Sequence, residues 1–249
     1  MKYNDRRNAR KKKKAKTGSK KKAPSASTGV HDFDELLKRA EKAEDTFEFE
    51  LAAEFYHKAL EQQPNNTKVM DSMAECFLQL ESANESRPWI DMARQLLNQS
   101  IALAPTENPS KWLNFAQLHE GNEALQLYSK GIEALTHALQ QAAAAAAPDQ
   151  QGQQQLLRGQ LRNAHCAVAE LYLTDLCFEP AAEEACQAAV DAALAHDDPA
   201  GAAPEAPQTL ASLRLSQCRG AEAAAAAREA LDRVERRLAA WAPTEEEGE

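Results

Sequence analysis

One two-part spacing recurs five times along this chain and dictates much of what it can become. Each occurrence opens with apolar residues three and four apart around a small residue. A second set follows, in which a small residue leads to a larger side chain four places on and usually another small residue three further. The first occurrence is Leu36, Ala40, Ala43, then Ala52, Tyr56, Ala59, closed by Pro64; Arg39 stands where the others carry an apolar side chain. The second is Met70, Met73, Ala74, Phe77, then Ala93, Leu97, Ser100 and Pro105, with about seven extra residues at 82–88. The third is Trp112, Phe115, Ala116, His119, then Ala124, Tyr128, Gly131, joined by a short turn at Gly121-Asn122. The fourth is His165, Val168, Ala169, Tyr172, then Ala182, Cys186, Ala189, and the fifth Pro207, Leu210, Ala211, Arg214, then Ala223, Ala227, Ala230. Steps of three and four put side chains on one face of an α-helix. The small residue lets two helix backbones approach, and the proline ends the second helix because it cannot continue the hydrogen-bond ladder.

A helix pair of this kind cannot bury its apolar face alone, so neighbours must stack. The pattern resembles the tetratricopeptide repeat, a helix pair of roughly 34 residues ending in proline. The expected fold is all-α: a right-handed tetratricopeptide-like (TPR-like) helical solenoid of about five helix pairs with a disordered basic N-terminal tail. Composition agrees, since 249 residues include only 9 Gly while Ala, Leu and Glu abound. The spacing divides the chain into a Lys/Arg-rich tail (1–31), repeats one to three (32–139), an Ala/Gln low-complexity insert (140–155), repeats four and five with a capping helix (156–242) and an acidic tail (243–249). The six alanines before Pro148 should prolong the preceding helix and the Gln/Gly run after it should form a flexible linker. Trp241 is placed to cover the end of the stack.

Catalytic constellations are absent from the sequence. None of the six His pairs with Cys or a carboxylate at metal-ligand spacing, and His119 and His165 fall on repeat-core positions, where packing explains them. No phosphate-binding loop, dinucleotide fingerprint or nucleophile elbow occurs. No cofactor and no metal are expected. The five cysteines are odd in number and lack a CxxC pair, which argues against a disulfide framework and for a reducing compartment. No apolar run is long enough to cross a membrane.

Binding is a different matter, because charge is distributed unevenly. Residues 1–22 carry 12 Lys/Arg and one acid, leaving 17 Lys/Arg against 37 Asp/Glu in the remainder, a body of −20 on a basic tail. In such a solenoid the first helices of successive repeats line the concave surface. Their inward positions should be Asp34, Leu37, Glu41 and Glu44; Lys68, Asp71, Glu75 and Leu78; Ser110, Leu113, Gln117 and Glu120; Asn163, Cys166, Glu170 and Leu173; and Glu205, Gln208, Ser212 and Leu215. Eight acids and one base, Lys68, make this an acidic groove with apolar rungs. A groove focuses the field of its charges, so a basic, extended protein segment is the ligand it suits, and nucleic acid is repelled. A chaperone-tail carboxylate is excluded, because the positions that would clamp it in the first repeat are Leu37 and Glu41, which cannot donate to it.

The segment Ala169-Glu170-Leu171-Tyr172-Leu173-Thr174-Asp175-Leu176-Cys177-Phe178-Glu179-Pro180 resembles a stretch of the dedicated assembly chaperones of ribosomal protein L-four. Pro204–Ser212 and the Lys-rich head resemble the same family, whose likeness covers most of residues 32–235. The insert at 140–155 departs from it and reads as a peripheral loop. The resemblance implies a repeat chaperone that captures a newly made ribosomal protein, shields its long basic extension and accompanies it to the pre-60S particle. It adds Asp175, Phe178 and Glu179, in the turn after the fourth repeat's first helix, as partner contacts; alternatively Phe178 staples that turn to the next helix. A generic TPR scaffold joining partners in a larger complex is the other expectation. Arg10, Lys11, Lys12, Lys13 and Lys14 suit a nuclear import receptor, an RNA-touching or solubilising arm, or a placeholder that folds back into the groove. Cytoplasm and nucleus are the expected locations, and a monomer the simplest state.

Overall fold

The computed structural model describes residues 32–81, 88–144, 150–198 and 201–241. The basic tail with Arg10–Lys14, the 82–87 stretch, the last alanines of the insert with Pro148, the acidic tail and the Trp241 side chain lie outside the described residues. Within them are ten helices: α1 (Phe33–Asp45), α2 (Phe49–Gln62), α3 (Thr67–Glu81), α4 (Trp89–Leu103), α5 (Ser110–Ala116), α6 (Gly121–Ala144), α7 (Gln150–Leu173), α8 (Ala182–Ala195), α9 (Glu205–Ser216) and α10 (Gly220–Trp241). Consecutive helices pack as pairs, α1 on α2 through α9 on α10, and each pair packs on the next. This is the all-α TPR-like solenoid that the spacing predicts.

The small residues sit at the closest approaches. Ala40, Ala52, Ala59, Ala74, Ala93, Ala116 and Ala169 are wholly buried. Gly131 shows the reason: a β-carbon there would lie 2.5 Å from Leu113 Cδ2 and 3.3 Å from Trp112 Cβ, so the missing side chain leaves room for Leu113 and Trp112 of α5 to pack onto α6. The core falls into two large clusters and a small one of Cys166, Ala193 and Ala206. One large cluster is built on Leu36, Tyr56, Phe77, Trp89 and Leu97, the other on Tyr128, Leu135, Leu161, Val190 and Leu213, and Phe115 packs against both. Phe77 and Trp89 stack with centroids 5.2 Å apart, which joins the two helices of the second pair across the 82–87 stretch.

Three features differ from expectation. The Gln/Gly run 150–155 is not a flexible linker but the start of α7, and the described parts of the insert, 140–144 and 150–155, are helical rather than loop. The insert lengthens α6 and α7 together into 24-residue partners, tied by Gln154 Nε2 donating to the Ala142 carbonyl at 3.0 Å. Glutamine is a good helix former, and a buried partner stripe of Leu135, Ala142, Leu157 and Leu161 overrides the low-complexity signal. Next, α5 is only seven residues long, and Gln117–Glu120 form tight turns with Leu118 and His119 amides bonded to the Phe115 and Ala116 carbonyls. Finally, in the fifth pair Ala227 is exposed and Leu210 and Ala211 are half-buried, while Ala206, Thr209 and Leu213 carry the packing. The exposed positions face the end of the stack, where no other described helix covers them.

Two buried polar assemblies hold the pairs in register. Lys111 is wholly buried, and its amine donates to Ser100 Oγ at 3.2 Å and to the Ser100 and Ala104 carbonyls, satisfying the end of α4. Desolvation holds its pKa below the usual lysine value, against the pull of Asp71 and Glu107. Between α8, α9 and α10, Arg233 pairs with Asp197 at 2.7 Å, both nearly sealed from solvent, and also donates to the Ala203 carbonyl and to Glu229.

Candidate partner-binding groove

The odd-numbered helices supply one helix from each pair, and polar bonds connect them in sequence. Cys76 Sγ on α3 donates to Glu44 Oε1 on α1 at 3.2 Å. Asn114 Nδ2 on α5 donates to Glu75 Oε1 on α3 at 2.9 Å. Gln160 Nε2 on α7 donates to Ser110 Oγ on α5 at 2.8 Å. Arg162 on α7 lies 3.5 Å from the Glu205 carboxylate on α9. Glu44, Glu75, Ser110 and Glu205 are four of the inward positions, one from each of four repeats, so the spacing rule finds the line where first helices adjoin. It misses their partners Cys76, Asn114, Gln160 and Arg162. Asn114 alone carried a usable signal, a polar side chain beside the inward Leu113.

The acids are densest at the first two pairs. Asp34 and Glu41 are exposed on α1, and Glu44 is half-buried, accepting from Tyr56 Oη at 2.9 Å as well as from Cys76. Glu75 reaches solvent but is crowded by neighbouring helices. Desolvation lifts its carboxyl above the usual carboxylate range, the charges of Asp71 and Glu44 push the same way, and the Asn114 hydrogen bond opposes them. The charges of Asp71 and Glu44 therefore lie near enough to act on Glu75. The same crowding raises the Tyr56 phenol and the Cys76 thiol, each by burial first and by Glu44 next. Further along, Glu170 is exposed near the end of α7, and its charge adds to the burial that pushes Tyr128 up to about 12.

Four expected contacts are placed otherwise. Asp71 is 2 % exposed and accepts from Asn108 Nδ2 at 2.8 Å, so it contributes charge to the wall but no surface. Glu120 lies beyond the end of α5 in an exposed turn, because the helix stops before reaching it. Asp175 turns to the fold: its carboxylate accepts the Gly121 amide at 3.0 Å and so caps α6 across 54 positions of sequence. Glu205 is partly neutralised by Arg162, which also lies 3.9 Å from Asp197. Phe178 is 97 % exposed and staples nothing, and Glu179 beside it is exposed as well. His119 packs edge-on against Phe115 and His165 stacks on His196, both consistent with packing roles.

Among the described residues no group of three or more His, Cys, Asp or Glu is placed to hold a metal ion, and no helix is long and apolar enough to cross a membrane. No family model matches the chain. A probable assembly chaperone of rpl4 from Schizosaccharomyces pombe is 31% identical over 181 residues, which cover 72% of this chain and 49% of that one. The chain thus spans about half the length of this curated relative. A solved structure described as an assembly chaperone of RpL4, Acl4, residues 1–338, superposes with a TM-score of 0.66 and 25% identity, covering 88% of this chain and 79% of that one. In fold the chain is a TPR-like helical solenoid, and in both sequence and structure it is similar to assembly chaperones of ribosomal protein L-four.

Proposed function

We propose that this chain is a non-enzymatic chaperone that captures newly made ribosomal protein L-four through its long basic extension. The extension lies along the acidic wall and is protected until incorporation into pre-60S particles. The observation that carries the proposal is the grouping of Glu44, Asp71 and Glu75, in which the charges of Asp71 and Glu44 add to the burial that raises the Glu75 carboxyl, with Asp34 and Glu41 exposed on the adjoining α1. A wall that stores like-charge repulsion gains most from a polycation. The function of the two relatives points to the same cargo. Ribosomal RNA, a far denser polyanion, would then compete the extension away. Phe178, wholly outside the core, gives an apolar contact at the far end of the wall, with Glu179 and Glu170 near it in sequence. Arg10–Lys14 would engage a nuclear import receptor, so that the loaded chaperone moves from cytoplasm to nucleus.

The decisive experiment titrates the basic extension of ribosomal protein L-four into the wild-type chain and into the triple variant Glu41→Lys, Glu75→Lys, Glu170→Lys. Exposed pairs contribute about 0.2–1 kcal/mol each, so losing three weakens binding by about 3- to 150-fold, and reversal adds to that. Wild-type affinity should fall steeply with salt as the screening length drops from about 8 Å at physiological salt to about 3 Å at 1 M. All three side chains are exposed, and helicity should survive. Unchanged affinity in a folded triple variant overturns the proposal.

A further inference from the structure

The open end of the stack carries a surface of a different character. On α10, Ala224, Ala227, Leu231, Val234 and Leu238 follow one another at alternating steps of three and four. That is the seam of a two-helix coiled coil rather than the broader face of a core helix. Leu231 is 56% and Leu238 59% exposed, and Ala224 and Ala227 are exposed too. The side of α10 buried against the rest of the fold, with Ala223, Ala226, Ala230 and Arg233, is a separate stripe. A shallow groove beside the seam is completed by α9 residues Ala211, Ser212 and Leu215, the last 68% exposed.

Charge placement identifies what covers this seam. Arg228 and Glu235, both exposed, follow Ala227 and Val234 and therefore flank the seam on one and the same edge, seven residues apart. In an antiparallel pair of helices, like edges face each other. A second copy whose α10 runs antiparallel, with Leu231 set against Val234, brings Arg228 of each chain within about two residues, some 3 Å of helix rise, of Glu235 of the other. The two-fold axis makes this contact twice. A parallel arrangement would place the same edge against Ala223 and Ala230, with no charge to meet.

We infer that this chain self-associates into a two-fold symmetric dimer through antiparallel packing of α10 seams, with α9 of each copy closing one side through Leu215. The seam from Ala224 to Leu238 is only about 21 Å long at 1.5 Å per residue, so the dimer is weak and depends on concentration. It lies on the opposite end of the repeat array from the acids of α1 and α3, and does not depend on the cargo proposed above.

Sedimentation velocity of the full chain tests this. The wild type should shift from monomer to dimer as concentration rises through the micromolar range. Leu231→Glu should hold it monomeric. Arg228→Glu and Glu235→Arg should each weaken the dimer about tenfold by turning two attractive pairs repulsive. Mixing the two single variants should restore association, because every cross-chain pair is then Glu against Arg. Circular dichroism confirms folding, and if Leu231→Glu lost helicity the two charge variants alone would decide. A monomer at every concentration, a dimer indifferent to Leu231→Glu, or failure of the mixture to recover overturns the inference.

Discussion

Asp175 offers a sharp test of how the fold is held, because its carboxylate serves a helix 54 positions away. Its oxygen accepts the Gly121 amide at 3.0 Å, at the first residue of a 24-residue helix whose leading amides have no partner within the helix. Gly121 itself has φ +53°, a left-handed conformation that an L side chain adopts only under strain, so the chain enters α6 by a route that a neighbouring cap must steady. The adjacent Leu176 is buried, which fixes the turn that carries Asp175. Removing a capping carboxylate costs about 1 kcal/mol, within a range of 0.5–2, part of it the favourable charge at the positive end of the helix dipole. For a fold of about 200 residues that corresponds to a fall of roughly 2–4 °C in melting temperature. Asp175→Ala should show this fall by circular dichroism, together with faster amide hydrogen exchange in the first turn of α6. Asp175→Asn keeps an acceptor oxygen but not the charge and should recover most of it. An Asp175→Ala protein with wild-type melting and wild-type exchange at Gly121–Ala124 refutes the capping assignment and returns Asp175 to the list of partner contacts.

Other expectations follow from the same geometry. Asp197→Ala leaves Arg233 buried and short of its strongest partner, and should lose about 3–5 kcal/mol in urea unfolding; a loss below 1 kcal/mol would mean that water reaches the guanidinium. Glu75 has its carboxyl pKa raised in the folded chain, so its own contribution to stability should become less favourable as pH rises through the carboxylate range, and the penalty should persist at neutral pH. Glu75→Gln should therefore be at least as stable as wild type at pH 7, with its advantage vanishing in acid; destabilisation at pH 7 contradicts the assignment. Of the five cysteines, Cys177 and Cys218 are exposed, while Cys76, Cys166 and Cys186 are buried with raised thiol pKa values, Cys186 to about 11. A thiol reagent should modify two rapidly under native conditions and all five only on unfolding.

The helix pairs were legible because their signal is local and repeated. Ala40, Ala74, Ala116 and Ala169 each occupy the same place in a pair, and each is wholly buried. What escaped the sequence is what depends on long-range partners. Lys111, between a serine and a tryptophan, looks like a surface residue until the end of α4 is brought against it. The Gln-rich run 150–155 has no apolar period of its own, and becomes helix only because Leu157 and Leu161 extend a stripe that meets Leu135 and Ala142.

The acidic wall was half legible for a related reason. Spacing alone gives the direction in which a side chain leaves its helix, and it placed Glu44, Glu75 and Glu205 on the line where first helices meet. It gives no information on whether that line is open. Where two first helices close on each other the acid becomes an acceptor, as Glu44 does for Cys76 and Tyr56, and where they part it stays available, as Glu41 does. Acids such as Asp71 and Glu44, held in place by fixed donors, cannot move apart to relieve their repulsion of Glu75. Their field is fixed before any partner arrives, which is the condition under which charge favours binding rather than merely solubility.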